Sequence, residues 1–385
     1  MIVRKLTLDD YAQFSEVSAS AYIYNSEETT FEENVDNFGA FIDDGKTLIS
    51  QLECGFKHNF YCGKKIGCAA IGGVASKPEY RRMGGVRAVF NTVLQHAINK
   101  GAVVSILYPF SIEYYRKFGY ETILRCVHAE CSFKTFENIE RFNEVTLARE
   151  EHKEIIKSIY TEIAQKQNML FARDNCENFC FTPYKNCVFT YFVNRDDAKG
   201  YVTFTLNRSA RTVNVSELLF NNKTALFNLL GFIKVYDGNY DTVHFDKLPV
   251  SSPVFEIIKD ENRLVKRVYT YDGAARILDV EGILKATEYP EEKGCFSIKI
   301  TDLQIEENNG VFTVSYENGK CEVRKNVSAE YDIAMDIPAA SRIILGREGL
   351  TLDEISYISN VEIKTNCVGF LRVFPKKTTL FYDGF

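Results

Sequence analysis

The sequence predicts an α/β chain with α+β character, arranged as three successive parts. Three observations carry this. Residues 1 to about 125 alternate apolar strand runs with amphipathic helices. The stretch from about Cys126 to 272 repeats an order of strands, helix and strand seen in residues 60–108. Residues 274–385 change to hairpin-linked strands and then helices, an α+β pattern.

The elements follow in order. Ile2–Leu6 alternates as a strand. Thr7 or Asp9 can cap a helix through Ala21, with Tyr11, Phe14, Val17 and Ala21 on one face. Residues 25–46 are acidic and aromatic and predict helical stretches. Leu48–Phe56 and Phe60–Val74 predict a meander turning at Gly63-Lys64-Lys65. From Gly84, the positions Val86, Val89, Phe90, Val93, Leu94, Ala97 and Ile98 recur at helical spacing until Gly101. Val103–Tyr108 reads as a buried strand, and Ser111 can cap a short helix ending at Gly119.

The middle part predicts a helix near 148–167 and strands at Cys187–Phe192, Gly200–Leu206 and Val213–Phe220. A helix at 223–235 leads to a strand near Thr242–Phe245. The last part predicts a helix near 276–287, strands Cys295–Ile300 and Val311–Tyr316, and a hairpin turn at Asn318-Gly319. Tyr331–Ile337 is a further strand, and Thr351-Leu352-Asp353-Glu354 is a capping box. The expected domains are 1–128, 129–273 and 274–385.

Composition narrows the function class. The 385 residues are 45% apolar and 25% charged, an ordinary globular balance. Net charge is −6, and no basic run marks a nucleic-acid or anionic-membrane partner. No apolar run approaches the roughly 20 residues that span a bilayer. Met1–Leu6 begins a strand rather than a signal peptide, so a cytoplasmic location is expected. The eleven cysteines are odd in number and scattered, with no CxxC. Cys176 and Cys180 have no His pair nearby, so free thiols and no metal are expected.

The loop Arg81-Arg82-Met83-Gly84-Gly85-Val86-Arg87 joins a strand to the strongest amphipathic helix. A helix N-terminus offers unpaired N–H groups and partial positive charge. Gly84 and Gly85 let backbone approach an anion, and Arg81, Arg82 and Arg87 add charge around it. The loop is neither GxxxxGK[ST] nor GxGxxG. A solvated basic turn that happens to cap a helix is the plain alternative. The corresponding loop of the middle part, Asn221-Asn222-Lys223-Thr224, has neither glycine nor arginine.

Val74-Ala75-Ser76 followed by Arg81–Val86 resembles motif A of the GNAT acetyltransferases, [RQ]-x-x-G-x-[GA]. Tyr115-Arg116-Lys117-Phe118-Gly119-Tyr120 resembles the ending of their motif B, Y-x-x-x-G-[FY], one helix and one strand further on. Val86 departs from the usual Gly or Ala, but Val86-Arg87 is similar to the Eis (enhanced intracellular survival) subfamily. That resemblance implies tandem GNAT folds, each a mixed, mostly antiparallel sheet flanked by helices. The first would be active and the second degenerate, followed by a sterol-carrier-protein-like domain. It also implies a homo-oligomer, a hexamer built from trimers.

The resemblance implies an acetyl-CoA-dependent N-acetyltransferase acting on an amine of a small molecule or peptide. Backbone of Val74, Ala75 and Ser76 would hold the pantetheine arm, the Val74 N–H polarising the thioester. Residues Arg81–Arg87 would hold the pyrophosphate. By spacing alone Tyr114, Phe118 and Tyr120 are as available as Tyr115, and a half-buried aromatic is the plain reading; the resemblance selects Tyr115 to serve the leaving thiolate, with Tyr120 in reserve. The terminal carboxylate of Phe385 would act as base, with Asp383 as the alternative carboxylate. Gly384 departs from the acidic groups that Eis proteins often carry there.

Tyr22, Tyr24, Glu27, Glu28, Phe31, Glu32 and Glu33 supply aromatic walls and carboxylates for a cationic acceptor, or simply a solvated acidic face. His58 and His128 show no partner at recognisable spacing, and His96 lies off the main apolar stripe of its helix. No histidine is assigned a role. The competing hypothesis is a non-catalytic CoA- or lipid-binding protein using the sterol-carrier-like domain.

Overall fold

The computed structural model describes residues 1–22, 31, 35–174, 179, 181, 187–258, 264–326, 330–365 and 367–384. The chain divides into two compact units. One comprises Met1–Ile123 and Gly273–Lys377, with the last residues from Asp383. The other comprises Leu124–Asp272 and Thr378–Tyr382. Among the described residues, no helix is long and apolar enough to cross a membrane.

In the first unit, β1 (Ile2–Lys5) leads through a 3₁₀ turn into α1 (Tyr11–Tyr22). Asp10 fixes that entry, accepting from the Thr7 N–H at 2.9 Å and from Arg4 at 2.7 Å. β2 (Val35–Ile42), β3 (Thr47–Tyr61) and β4 (Lys64–Ser76) follow. β2 is a correction, because helical stretches were expected across 25–46. Long-range pairing decides it: Ile2 faces Phe41 and Val35 faces Gly55, so β2 lies between β1 and β3. The β3–β4 hairpin turns at Cys62 and Gly63, both at positive φ (49° and 77°), as a two-residue turn with native twist requires.

Next come α2 (Gly85–Asn99), β5 (Val104–Leu107) and α3 (Ile112–Arg116). The strand order is β1-β2-β3-β4-β5, with residues 274–277 beyond β5. Every neighbouring pair is antiparallel except β4 and β5. α2 is the crossover between those two. Its Val89, Phe90, Val93, Leu94 and Ala97 are buried with Ile49, Leu52 and Ile71 of the sheet. Gly101 at φ 83° ends it, and the Ala102 N–H folds back on the Ala97 carbonyl at 3.0 Å.

The strand Val265–Ile277 extends to where the sequence suggested a helix starting near 276. Pairing with β5 holds it, Arg276 opposite Ser105. The helix is Val280–Ala286, begun by the Asp279 side chain accepting from the Gly282 N–H at 2.9 Å. A five-stranded sheet follows. Its order is Lys320–Asn326, Gly310–Glu317, Gly294–Thr301, Ile333–Asp336, Val361–Ile363. The Asn318-Gly319 turn and the Thr351–Glu354 capping box are present as expected. Phe296, Phe370 and Phe374 pack together with ring centroids 4.7–6.1 Å apart.

In the second unit, a sheet runs Glu121–Ser132, Thr242–Pro249, Thr212–Phe220, Ala198–Asn207, Val188–Arg195, Thr146–Leu147. Among these strands as described, only Thr212–Phe220 and Thr242–Pro249 pair in parallel, joined by the helix Lys223–Ile233. The second parallel crossover repeats the strand, helix and strand order of the first, as the sequence repeat implied.

A buried ion pair braces the first unit. Arg276 and Asp302 have no exposed side-chain surface and meet at 2.5 Å. Arg276 also donates to the Phe118 carbonyl at 2.7 Å, and Gln304 to the Lys117 carbonyl at 2.6 Å. The end of α3 is thereby tied to the later part of the chain. Removing one partner leaves an uncompensated buried charge, at a cost of about 3–5 kcal/mol. Asp302→Ala is therefore expected to lower the unfolding free energy by that amount. Urea denaturation checks this, and a loss below about 1 kcal/mol, the surface-pair range, would refute the brace.

Candidate functional site

β4 carries an extra residue opposite β3. The register steps from Gln51↔Ala75 to Glu53↔Gly72, leaving Gly73 and Val74 outside the ladder. Gly73 sits at φ 55°, where a side chain would collide with that of Glu53. On the other edge, the ladder with β5 covers only Cys68–Ala70. β4 then runs on to Ser76 without β5, so a cleft opens between the two strands.

At its mouth the backbone turns through Pro78–Tyr80. Arg82 (φ 67°) and Gly84 (φ 86°) are both left-handed. Gly84 is the N-cap residue of α2 and contributes no side-chain cap. The first bond across this end runs from the Ala88 N–H to the Gly84 carbonyl at 3.0 Å. The N–H groups of Gly85, Val86 and Arg87 precede it, at the positive end of a 15-residue helix. Gly85 is required by packing, since a Cβ there would meet the Ser50 hydroxyl. Gly84 has open space around it, so its requirement is conformational.

A cavity of about 950 Å³ lies here. Of the sequence-predicted residues, Val74, Ala75, Ser76, Arg81, Arg82, Gly84, Gly85, Val86 and Arg87 line it. Met83 is exposed beside it and does not. The three arginines are exposed and form no ion pair among the described residues. The cradle therefore fits a phosphate-bearing ligand: backbone donors, three uncommitted guanidinium groups, and no side chain over Gly84.

Tyr115 is buried in an aromatic cluster, 5.3 Å from Tyr114 and 5.4 Å from Phe110 by ring centroids. Burial raises its phenol above the ordinary value, reinforced by Tyr22, Tyr114 and Tyr120. The cavity wall itself is made by Tyr114, Phe110, Phe118 and Lys117. The sequence alone assigns none of these to the cavity wall, although Phe110, Tyr114 and Phe118 recur at intervals of four. Tyr120 is fully buried with its hydroxyl on Ser105 at 2.7 Å, which removes it from the cleft.

Tyr22 lines the cavity, and its hydroxyl donates to the Val74 carbonyl at 3.3 Å. Phe31 instead stacks on Phe14 at 4.6 Å, a packing role. Tyr24, Glu27, Glu28, Glu32 and Glu33 lie outside the described residues, as does Phe385. Tyr108, just past β5, donates to the Asp383 carbonyl at 2.8 Å. The chain two residues before Phe385 is thus held at the cleft end of β5.

Two acetyltransferase (GNAT) domain families match, over residues 2–123 and 174–277, and a sterol carrier protein domain family matches 280–366. This chain is a GNAT N-acetyltransferase with a sterol carrier protein domain. No curated protein matches it significantly. Solved structures resemble it end to end. Eis1 from Mycobacterium abscessus has a TM-score of 0.81 at 19% identity, covering 100% of both chains. A GCN5-related N-acetyltransferase from Anabaena variabilis gives 0.83 at 18%, also 100% of both. A conserved protein of Enterococcus faecalis V583, described as a probable N-acyltransferase, gives 0.84 at 21%, covering 100% of this chain and 99% of the other. At these identities the likeness establishes the fold.

The two GNAT domains differ at the helix that follows their parallel crossover strand. In the second, the Asn222 side chain accepts from the Ala225 N–H at 2.9 Å. That helix end caps itself where α2 leaves its donors free. GNAT domains use an acyl-CoA co-substrate, and only the first presents an open anion cradle among the described residues. Gly84→Ala places a Cβ in the left-handed region at a cost of about 1–2 kcal/mol. Rotation of the loop to relieve that strain would turn the Gly85 and Val86 N–H groups away from the cleft. The expected result is a KM for the acyl-CoA co-substrate raised roughly tenfold with kcat less affected. Steady-state kinetics decide it, and an unchanged KM would count against the cradle.

Proposed function

We propose that the first GNAT domain (residues 1–128) transfers acetyl from acetyl-CoA directly to an amine of a small molecule or peptide. Residues 129–273 act as its degenerate copy and 274–385 as a sterol-carrier-like scaffold. The cleft where β4 leaves β5, with the α2 cradle at its mouth, carries this reading. The pantetheine arm lies along Val74–Ser76 as an added strand, and the Val74 N–H polarises the thioester carbonyl. The pyrophosphate sits on the N–H groups of Gly85–Arg87 among Arg81, Arg82 and Arg87.

The amine nitrogen forms the new N–C bond as the C–S bond breaks. Its proton passes to the terminal carboxylate of Phe385, directly or through water. The Tyr108–Asp383 bond supports that placement by holding the tail beside β5. The departing thiolate takes a proton from Tyr115, and the proton held by the carboxylate returns to the phenolate through solvent; the raised pKa keeps the neutral, donating form of Tyr115 through the range near 10 where free tyrosine ionises. Tyr114 is a second candidate acid because it lines the cavity and its phenol is likewise raised by burial.

The lipid-binding alternative draws less support. Phe296, Phe370 and Phe374 pack on one another inside the last part, and the buried Arg347 donates to the Val373 carbonyl at 2.5 Å beside Phe374.

CoA release with a panel of amines tests the mechanism. Tyr115→Phe is expected to lower kcat roughly 100-fold and Tyr114→Phe far less. A reversed order would assign the acid to Tyr114. A short extension after Phe385 is expected to abolish turnover while acetyl-CoA still binds; full activity would remove the terminal carboxylate as base. The wild-type rate should show no fall centred near pH 10, and a fall there that Tyr115→Phe abolishes would contradict the raised phenol.

A further inference from the structure

Three ligand-bearing side chains converge in the second unit, on strands that belong to neither the cradle nor its crossover. Cys126 and His128 are two apart on Glu121–Ser132, so they share a face. Asp272 lies on Val265–Ile277, with Thr270 two residues before it. The Cys126 thiol donates to Asp272 Oδ2 at 3.0 Å. His128 Nε2 approaches the same oxygen at 3.0 Å, and Thr270 Oγ1 lies 3.1 Å from Cys126 Sγ. Sγ, Nε2 and the carboxylate oxygen all lie within 4.8 Å of one another.

We propose that Cys126, His128 and Asp272 form a binding site for a zinc-class divalent cation, with a fourth position open to water. Bonds of about 2.0–2.3 Å in a tetrahedral site put its ligand atoms about 3.5 Å apart. Sulfur and imidazole nitrogen each stand 3.0 Å from the Asp272 oxygen, about half an ångström inside that spacing, so a small rotation of the Asp272 carboxylate admits the ion. Thiolate and imidazole select zinc over magnesium or calcium, which take all-oxygen sets. A thiolate and a carboxylate together offset the two positive charges. The Cys126 thiol gives its proton to solvent as the sulfur–metal bond forms. Thr270 then donates its hydroxyl hydrogen to the bound sulfur, an outer-sphere support. Cys126 is buried, whereas His128 and Asp272 are partly exposed, so the ion has a path from solvent.

The sequence pattern Cys-x-His is too short to announce such a site, and its third member lies 144 residues from His128. A structural hydrogen-bonded triplet is the competing reading, and the two separate cleanly. Full-length protein is dialysed against chelator and titrated with Co²⁺. The expected result is a thiolate-to-cobalt charge-transfer band with four-coordinate d–d absorption, saturating at one ion per chain and displaced by Zn²⁺. Cys126→Ser should abolish the charge-transfer band, whereas Cys187→Ser, at an exposed cysteine, should keep it. Asp272→Asn and His128→Ala should each weaken binding more than about tenfold. Circular dichroism establishes that each variant folds. No band in the wild type, or a band that survives Cys126→Ser, would overturn the site.

Discussion

Beyond Ala70 and Ile106 the ladder between β4 and β5 ends, although both strands continue. Everything in the candidate active site depends on that divergence. The extra residue at Gly73–Val74 bends β4 away and turns its free edge toward the opening. A strand edge is a template for another extended chain, and the pantetheine arm of CoA is such a chain. The crossover rule then puts the N-terminus of α2 at the same end of the sheet, because a parallel β4–β5 pair needs a helix between its strands. Anion-binding donors and a free strand edge therefore arrive together, as consequences of one topology.

The same topology occurs twice in the chain, and the two copies differ at the start of the crossover helix. At α2, Gly84 contributes left-handed backbone and no side chain. At the second helix, Asn222 fills its own helix end. The later part of the chain also has a mechanical role in the first unit. Arg276, paired with Asp302, holds the Phe118 carbonyl, and Gly119 beside it has no room for a side chain against that guanidinium group. The position of Tyr115 is thus set from residues more than 150 positions downstream.

Much of this was legible in the sequence. The α2 periodicity, its Gly101 stop, the Arg81–Arg87 loop and the Asn318-Gly319 turn depend on local physics and appear where expected. β2 was misread because residues 35–42 become a strand only through pairing with β1 and β3. The end of Val265–Ile277 was misread for the same reason, since β5 supplies its partner. At the site, backbone-derived residues were readable, because glycine and helix-start patterns are local. The aromatic wall was not: Phe110, Tyr114 and Phe118 form one face of a segment too short for periodicity to stand out. Cys126, His128 and Asp272 meet through strand neighbours, which no linear spacing encodes.

In the proposed function one acyl-CoA binds each chain, at the β4 edge and the α2 N-terminus. Hydrogen–deuterium exchange of the full chain with and without acetyl-CoA tests this most directly. Backbone amides at 74–76 and 84–88 are expected to become protected, with the helix start at 222–226 unchanged. Protection confined to 222–226, or none at 84–88 under saturating acetyl-CoA, would contradict it.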